Sequence, residues 1–271
     1  MSILAVSTHY WRDKVLSQEE LAEIRASGFR HVEIFATPPH VRLDSSVFHE
    51  KLPRILHELE LEICSAHAPY LPHLNIASLN ERRRKEALHS FEHVLDWLAA
   101  LGGKFLVLHP GTNLFDPKRE EAHEREALRS IQHLVEYAGR LGLSVALENP
   151  PPGEFLSDAR RFTIFLDKVR PLGCRFCLDT GHAFIQGLQL NWLNDFRKQL
   201  ISVHISDNRG INDDHLAPEY GLIPWDRYMD FLVEWDNGET YWVLEIDQNT
   251  NPPGVLIQTY NWLKQYRGDI Q

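Results

Sequence analysis

Eight short apolar segments alternate with segments of helical character, and this alternation limits the fold more than any other feature. In the first unit, Ile3–Ser7 is a predicted strand, an S-x-x-E capping box begins a helix at Ser17, and Gly28 ends that helix. The other predicted strands are Val32–Phe35, Leu61–His67, Lys104–His109, Leu143–Glu148, Arg175–Asp179, Leu200–His204 and Tyr241–Ile246. Eight strand-then-helix units in 271 residues predict an α/β chain forming one (β/α)8 TIM barrel domain over residues 1–271. The alternative is an open doubly wound sheet, in which a G-x-G-x-x-G turn typically follows the first strand. The sequence has no such turn after its first predicted strand.

Composition narrows the classes of partner. With 43% hydrophobic residues the chain can bury one large core. Its formal net charge of −10 gives no overall basic footprint for nucleic acid and no argument for an anionic membrane surface, and a local basic patch stays open. The sequence has no apolar run long enough for a membrane span or a signal peptide. We therefore expect a cytoplasmic protein without membrane contacts, and homo-oligomerisation stays open.

The three cysteines do not form a site. Cys174 and Cys177 have C-x-x-C spacing, but residues three apart on a strand point to opposite faces of the sheet. We predict that both, together with Cys64, are buried free thiols in a reducing compartment.

Six consecutive predicted strands, the third to the eighth, carry at or next to their last position a residue that can bind a metal. These residues are His67, His109, Glu148, Asp179, His204 and Glu245. A single strand-end histidine or glutamate is more often structural, but in a closed barrel six strand ends converge at one rim. His182, three residues beyond Asp179, is a further candidate. The pattern predicts a metal site with oxygen and imidazole ligands and no thiolate.

The remaining prominent features have structural interpretations. A second S-x-x-E pattern, Ser78 to Glu81, predicts the start of a long helix. Five further histidines fall in helical segments and are predicted to lie on the surface: His57, His89, His93, His123 and His133.

The strand-end motifs resemble those of the xylose isomerase-like TIM barrel superfamily, which contains sugar phosphate isomerases and epimerases and also endonuclease IV. The motifs span most of the chain. They are His67-Ala68-Pro69-Tyr70, Leu108-His109-Pro110-Gly111, Leu147-Glu148-Asn149-Pro150, Leu178-Asp179-Thr180-Gly181-His182, His204-Ile205-Ser206-Asp207-Asn208, Asp213-Asp214-His215-Leu216 and Leu244-Glu245. Together they are specific to the superfamily and not to one activity.

The resemblance first implies a metal-dependent sugar isomerase or epimerase of carbohydrate metabolism, acting on a sugar or sugar phosphate. The family's single divalent ion, Zn²⁺ or Mn²⁺ with Mg²⁺ or Co²⁺ as alternatives, would bind to Glu148, Asp179, His204 and Glu245. In the same family, the residues matching Glu148 and Glu245 exchange a substrate proton through an enediolate. Substrate contacts are implied for His67, His182 and Glu154. Arg209 is also a candidate for substrate binding, although it matches the family's arginine beyond the seventh strand only at a slightly different spacing.

The resemblance also implies an alternative, an endonuclease IV-like zinc-dependent hydrolase of phosphodiesters in abasic DNA. That enzyme holds three zinc ions with nine ligands. The matching candidates are His67, His109, Glu148, Asp179, His182, His204, Asp213, His215 and Glu245. Against it, the segment from Asp214 to Trp225 looks more like the isomerase pattern, and the loops have no arginine-rich surface for a duplex. The sequence thus favours the isomerase interpretation, with nucleic acid the less expected partner, and provides no support for a metal-binding barrel without turnover.

Overall fold

The computed structural model describes residues 2–42 and 46–266. Side chains are described for residues 2–42 and 50–266. Eight parallel strands pair in sequence order, and β8 returns to pair with β1. The strands are β1 Ile3–Ser7, β2 His31–Phe35, β3 Glu62–His67, β4 Phe105–Leu108, β5 Ser144–Glu148, β6 Arg175–Asp179, β7 Leu200–Ile205 and β8 Tyr241–Leu244. The predicted (β/α)8 barrel is confirmed.

A helix follows each strand and packs outside the barrel. The helices are α1 Gln18–Ala26, α2 Ser46–Glu58, α3 Glu81–Ala100, α4 Glu120–Arg140, α5 Ala159–Val169, α6 Thr180–Ile185, α7 Trp225–Trp235 and α8 Val255–Tyr266. The capping box at Ser17 is confirmed at the start of α1. The box predicted at Ser78 is wrong, because the Asn80 side chain caps α3 and accepts hydrogen bonds from the backbone N–H groups of Arg82 and Arg83.

Strand alternation decides which side chains reach the barrel interior. On β4, Leu106 and Leu108 belong to the main hydrophobic core, whereas Phe105 and Val107 belong to a separate small apolar cluster. Because successive strand side chains point to opposite faces, a residue two positions beyond Val107 continues the same face. His109 stands at that position, just beyond the strand.

Neighbouring strands extend this arrangement around the rim. Ala146 and Cys177 lie in the same small cluster as Val107, and Glu148 and Asp179 follow them by two residues. On the next strand, His204 pairs in register with Asp179. Side chains that can bind a metal therefore lie at the same height along the barrel axis, at the carboxyl ends of adjacent strands.

One predicted surface residue is buried. His57, His89, His93 and His133 are exposed, as predicted. His123 is only 4% exposed, and its Nδ1 and Nε2 atoms lie 2.7 Å from the carbonyl oxygen of Ala77 and 3.0 Å from the backbone nitrogen of Asp116. The prediction for His123 is wrong because this side chain joins α4 to the β3–α3 and β4–α4 loops.

The three cysteines are buried and free, as predicted. Among the helices in the described part of the chain, none combines the length and apolar character needed to cross a membrane.

Candidate metal centre

Four of the predicted residues form one compact set at the centre of the rim. Glu148, Asp179, His204 and Glu245 are all buried, and each offers a ligand atom within 4.8 Å of the other three. The Nδ1 atom of His204 lies 3.2 Å from Oε1 of Glu148 and 2.9 Å from Oε2 of Glu245. We call these four residues the central set.

A second compact set uses the other oxygen of the same glutamate. His67, His109 and Glu148 also offer ligand atoms within 4.8 Å of one another. Oε2 of Glu148 lies 3.2 Å from Nε2 of His67 and 3.3 Å from Nε2 of His109. We call these three residues the β3–β5 set. Glu148 therefore belongs to both sets and presents one oxygen to each.

A third group is built around Asp213 in the loop after β7. Its Oδ2 atom lies 3.1 Å from Nε2 of His182 and 2.9 Å from Nε2 of His215. His182 also lies near the central set, with Nδ1 3.6 Å from Oε1 of Glu148. We call His182, Asp213 and His215 the loop set. The structure thus brings all nine predicted metal-ligand candidates into one continuous site.

Two carboxylate oxygens in this site are buried without a hydrogen-bond partner among the described residues. They are Oδ2 of Asp179 and Oδ1 of Asp213. Burying a carboxylate oxygen without a partner is costly, and a bound cation is one way to compensate it. Together with the oxygen and imidazole donors of all three sets, this observation fits divalent metal ions of the zinc or manganese type.

Burial and charge act in opposite directions on the titratable groups. Burial by itself raises the pKa of the Glu148 carboxyl, but the neighbouring His204 and His109 outweigh it and hold that pKa well below its usual value. Burial lowers the pKa of His182, yet Asp179 and Asp213 raise it to about 10. Without metal, protons on the histidines therefore balance the clustered carboxylates.

The other substrate-contact candidates are divided between the site and the surface. Glu154 lies beside the β3–β5 set: its Oε1 accepts a hydrogen bond of 2.6 Å from the Tyr70 hydroxyl, and its Oε2 lies 3.0 Å from Nδ1 of His109. Arg209 does not join them. Its side chain is 64% exposed and its nearest recorded carboxylate partner is Asp214, 3.8 Å away.

Two residues that follow β1 also belong to the site, although neither was predicted. His9 and Arg12 line a cavity of about 310 Å³ together with Glu148, His182 and Glu245. The His9 ring packs 4.4 Å from the ring of His215, and burial, followed by the charge of His215, lowers the His9 pKa to about 3. His9 follows its strand as the predicted ligands follow theirs, so the same signal could have identified it.

These features define a (β/α)8 barrel with a candidate metal centre at its carboxyl rim. Residues 21–266 match the family model for the xylose isomerase-like TIM barrel, and the chain belongs to that family.

Individual relatives differ in what their names describe. A probable endonuclease 4 of Mycobacterium ulcerans is 30% identical over 207 residues, which covers 72% of this chain and 75% of that protein. An uncharacterized protein of Methanocaldococcus jannaschii is 28% identical over 162 residues, covering 60% of this chain, and the match spans only 62% of that protein's length. The crystal structure of a D-tagatose 3-epimerase-like protein superposes with a TM-score of 0.82 at 23% identity, covering 98% of this chain and 97% of that one, which shows a shared fold.

Proposed function

We propose that this protein is a hydrolase of phosphate-ester bonds that uses more than one divalent metal ion. The observation that carries the proposal is the division of Glu148 between two compact sets, with Oε1 at His204 and Oε2 at His67 and His109. A carboxylate that presents one oxygen to each of two ligand sets is suited to bridging two ions. An isomerase centre with one ion would use the central set and leave the β3–β5 set without a metal-binding role.

Bound divalent ions would supply Lewis acidity to phosphoryl oxygens and activate water for attack. The protein's own residues would shape the site around them. One oxygen of Glu154 accepts a hydrogen bond from the Tyr70 hydroxyl, and the other contacts Nδ1 of His109. The second contact orients the imidazole of His109 so that its Nε2 points to Glu148. Burial, followed by the charge of Glu154, raises the pKa of Tyr70, so its hydroxyl stays protonated and donates.

The cavity mouth supports an anionic substrate. Among the described residues that line the cavity, Arg12 is the one with a permanent positive charge. Its guanidinium is held by Asp247 at 2.7 Å and by Nε2 of His9 at 3.3 Å, while 42% of the side chain stays exposed. A guanidinium fixed in this way can contact a phosphate at the mouth. A cavity of about 310 Å³ suits a small ligand.

A second candidate is the sugar isomerase or epimerase expected from the sequence. Glu148 and Glu245 approach the same histidine nitrogen from two strands, so two carboxylates face one position. That arrangement can remove and return a proton on carbon. Against it, that reaction would leave the β3–β5 set without a metal, although its three ligand atoms lie within 4.8 Å of one another.

Metal content and a pair of substrate panels test the proposal. We expect two or more zinc or manganese ions per chain by elemental analysis, and metal-dependent cleavage of a small phosphodiester or of an oligonucleotide with an abasic site. The second candidate is tested by incubating the protein with a panel of ketoses and aldoses and following their interconversion by chromatography. A protein that binds one ion and interconverts sugars without cleaving either phosphate ester would reject the proposal in favour of the second candidate.

A further inference from the structure

Glu33 is a buried carboxylate to which the sequence analysis assigned no role. It lies on β2, is 0% exposed, and pairs in register with Ser65 of β3. The Ser65 hydroxyl donates a hydrogen bond of 2.8 Å to Oε2. Such a residue costs folding free energy unless its charge is compensated.

The compensating partner is His204. The Nε2 atom of His204 lies 3.3 Å from both carboxylate oxygens of Glu33. Both side chains have no exposed surface, so bulk water does not compete for this contact. Oε1 of Glu33 has no hydrogen-bond partner of good geometry among the described residues, which leaves His204 as the donor placed to serve it.

The two nitrogens of His204 therefore face different carboxylates. Nδ1 points to Glu148 and Glu245 in the central set, at 3.2 and 2.9 Å, while Nε2 points to Glu33. A neutral imidazole carries one proton, and the nitrogen without it is the metal donor. If the proton is on Nε2, which then donates a hydrogen bond to Glu33, the lone pair on Nδ1 faces the central set.

We infer that Glu33 is a positioning residue that accepts a hydrogen bond from the Nε2–H group of His204 and so fixes the tautomer and ring orientation that place Nδ1 for metal binding. The inference rests on the metal centre of the proposed function and holds for either reaction, because both use the central set. A histidine ligand held by a carboxylate on its second nitrogen binds metal more tightly and with one orientation.

Nitrogen NMR of the zinc-loaded wild-type protein tests the tautomer directly. We expect the His204 ring, identified by the loss of its signals in His204→Asn, to carry its proton on Nε2. This measurement needs no Glu33 variant and no substrate, so it remains decisive if Glu33→Gln fails to fold or if no hydrolysis is found. A proton on Nδ1 in the zinc-loaded protein would overturn the inference.

Variants test the consequence for metal binding. We expect Glu33→Gln to weaken zinc binding at the central set by about 10- to 100-fold in chelator competition, because the amide no longer provides a charged acceptor. Ser65→Ala keeps the charge of Glu33 and should leave the His204 tautomer unchanged. The matched control is Glu62→Gln, which makes the same Glu-to-Gln change at the first residue of β3, where the side chain is 81% exposed and lies outside the site. Wild-type zinc affinity in a folded Glu33→Gln protein would also overturn the inference.

Discussion

The indole of Trp225 donates a hydrogen bond of 2.8 Å from Nε1 to Oδ2 of Asp207, and this contact closes the loop between β7 and α7. Backbone N–H groups of Glu219, Gly221 and Ile223 donate to the same carboxylate, at 3.1, 3.0 and 3.1 Å. The loop that they organise carries Asp213 and His215.

We predict that Asp207→Asn disrupts the loop set while sparing the central set. An amide nitrogen placed against N–H donors leaves one or more of them unsatisfied, at a cost of about 1–3 kcal/mol each. Zinc content after dialysis should fall, and the His204 tautomer should stay as in the wild type. Unchanged zinc content together with unchanged thermal stability would contradict this role for Asp207.

Replacing the shared carboxylate should cost more than replacing an unshared one. We predict that Glu148→Gln removes metal from both the central and the β3–β5 sets, whereas Glu245→Gln weakens the central set alone. Both variants should lose at least ~100-fold in turnover, because each would alter a ligand of the ions that we propose supply the chemistry. Elemental analysis separates them, and equal metal content in the two variants would argue against a bridging role for Glu148.

Arg12 should govern substrate affinity more than turnover. We predict that Arg12→Ala raises KM for a phosphate-ester substrate by about 10- to 100-fold, the loss expected for a hydrogen bond to a charged group. Arg12→Lys should recover only part of the effect, since an ammonium lacks the two-pronged geometry. Arg209→Ala is the matched control, because Arg209 lies outside the cavity lining. If Arg209→Ala raises KM and Arg12→Ala does not, then Arg209 binds the substrate, as the sequence predicted, and Arg12 does not.

Without metal, the protein should lose stability as the pH rises. The pKa values of His109 and His182 are raised to about 10 and that of His215 to about 9, against an ordinary value of 6.5: burial lowers them, but neighbouring carboxylates more than compensate. A group whose pKa is higher in the folded state contributes stability that is full below its unfolded pKa. This contribution is lost as the pH rises through its folded pKa.

The melting temperature of chelator-treated protein should therefore fall as the pH rises from about 6.5 to about 10. Zinc-loaded protein should show no such fall, because metal takes the place of the protons on the imidazoles. If the melting temperatures of the two forms changed with pH in the same way across this range, that result would contradict the proposed balance of charge.

Much of the fold and the centre of the site could be predicted because both depend on local patterns. A strand end is marked by where apolar residues stop, so His109 and Glu148 are visible in the sequence. Arg12 is not visible in this way, because its partner Asp247 is distant in the chain and belongs to another loop. The surface prediction for His123 failed for the same reason, since its partners lie in two loops outside α4.

Glu33 illustrates a different difficulty. It interrupts the apolar run Val32-Glu33-Ile34-Phe35, and an isolated charge in a strand ordinarily indicates a face turned to water. In a closed parallel barrel neither face of a strand meets water freely, so the charge required a buried partner. The sequence therefore indicates that Glu33 needs a buried partner, but it does not identify which histidine is that partner.

The division of Glu148 between two ligand sets has a consequence for how the protein would load its ions. An ion arriving first would fix the rotamer of this side chain and keep it ionised, and both changes alter the free energy available to the next arrival. Thermodynamic linkage requires the effect to be mutual. Uptake should therefore be cooperative or anticooperative, and the curvature of a titration would report the interaction between neighbouring ions.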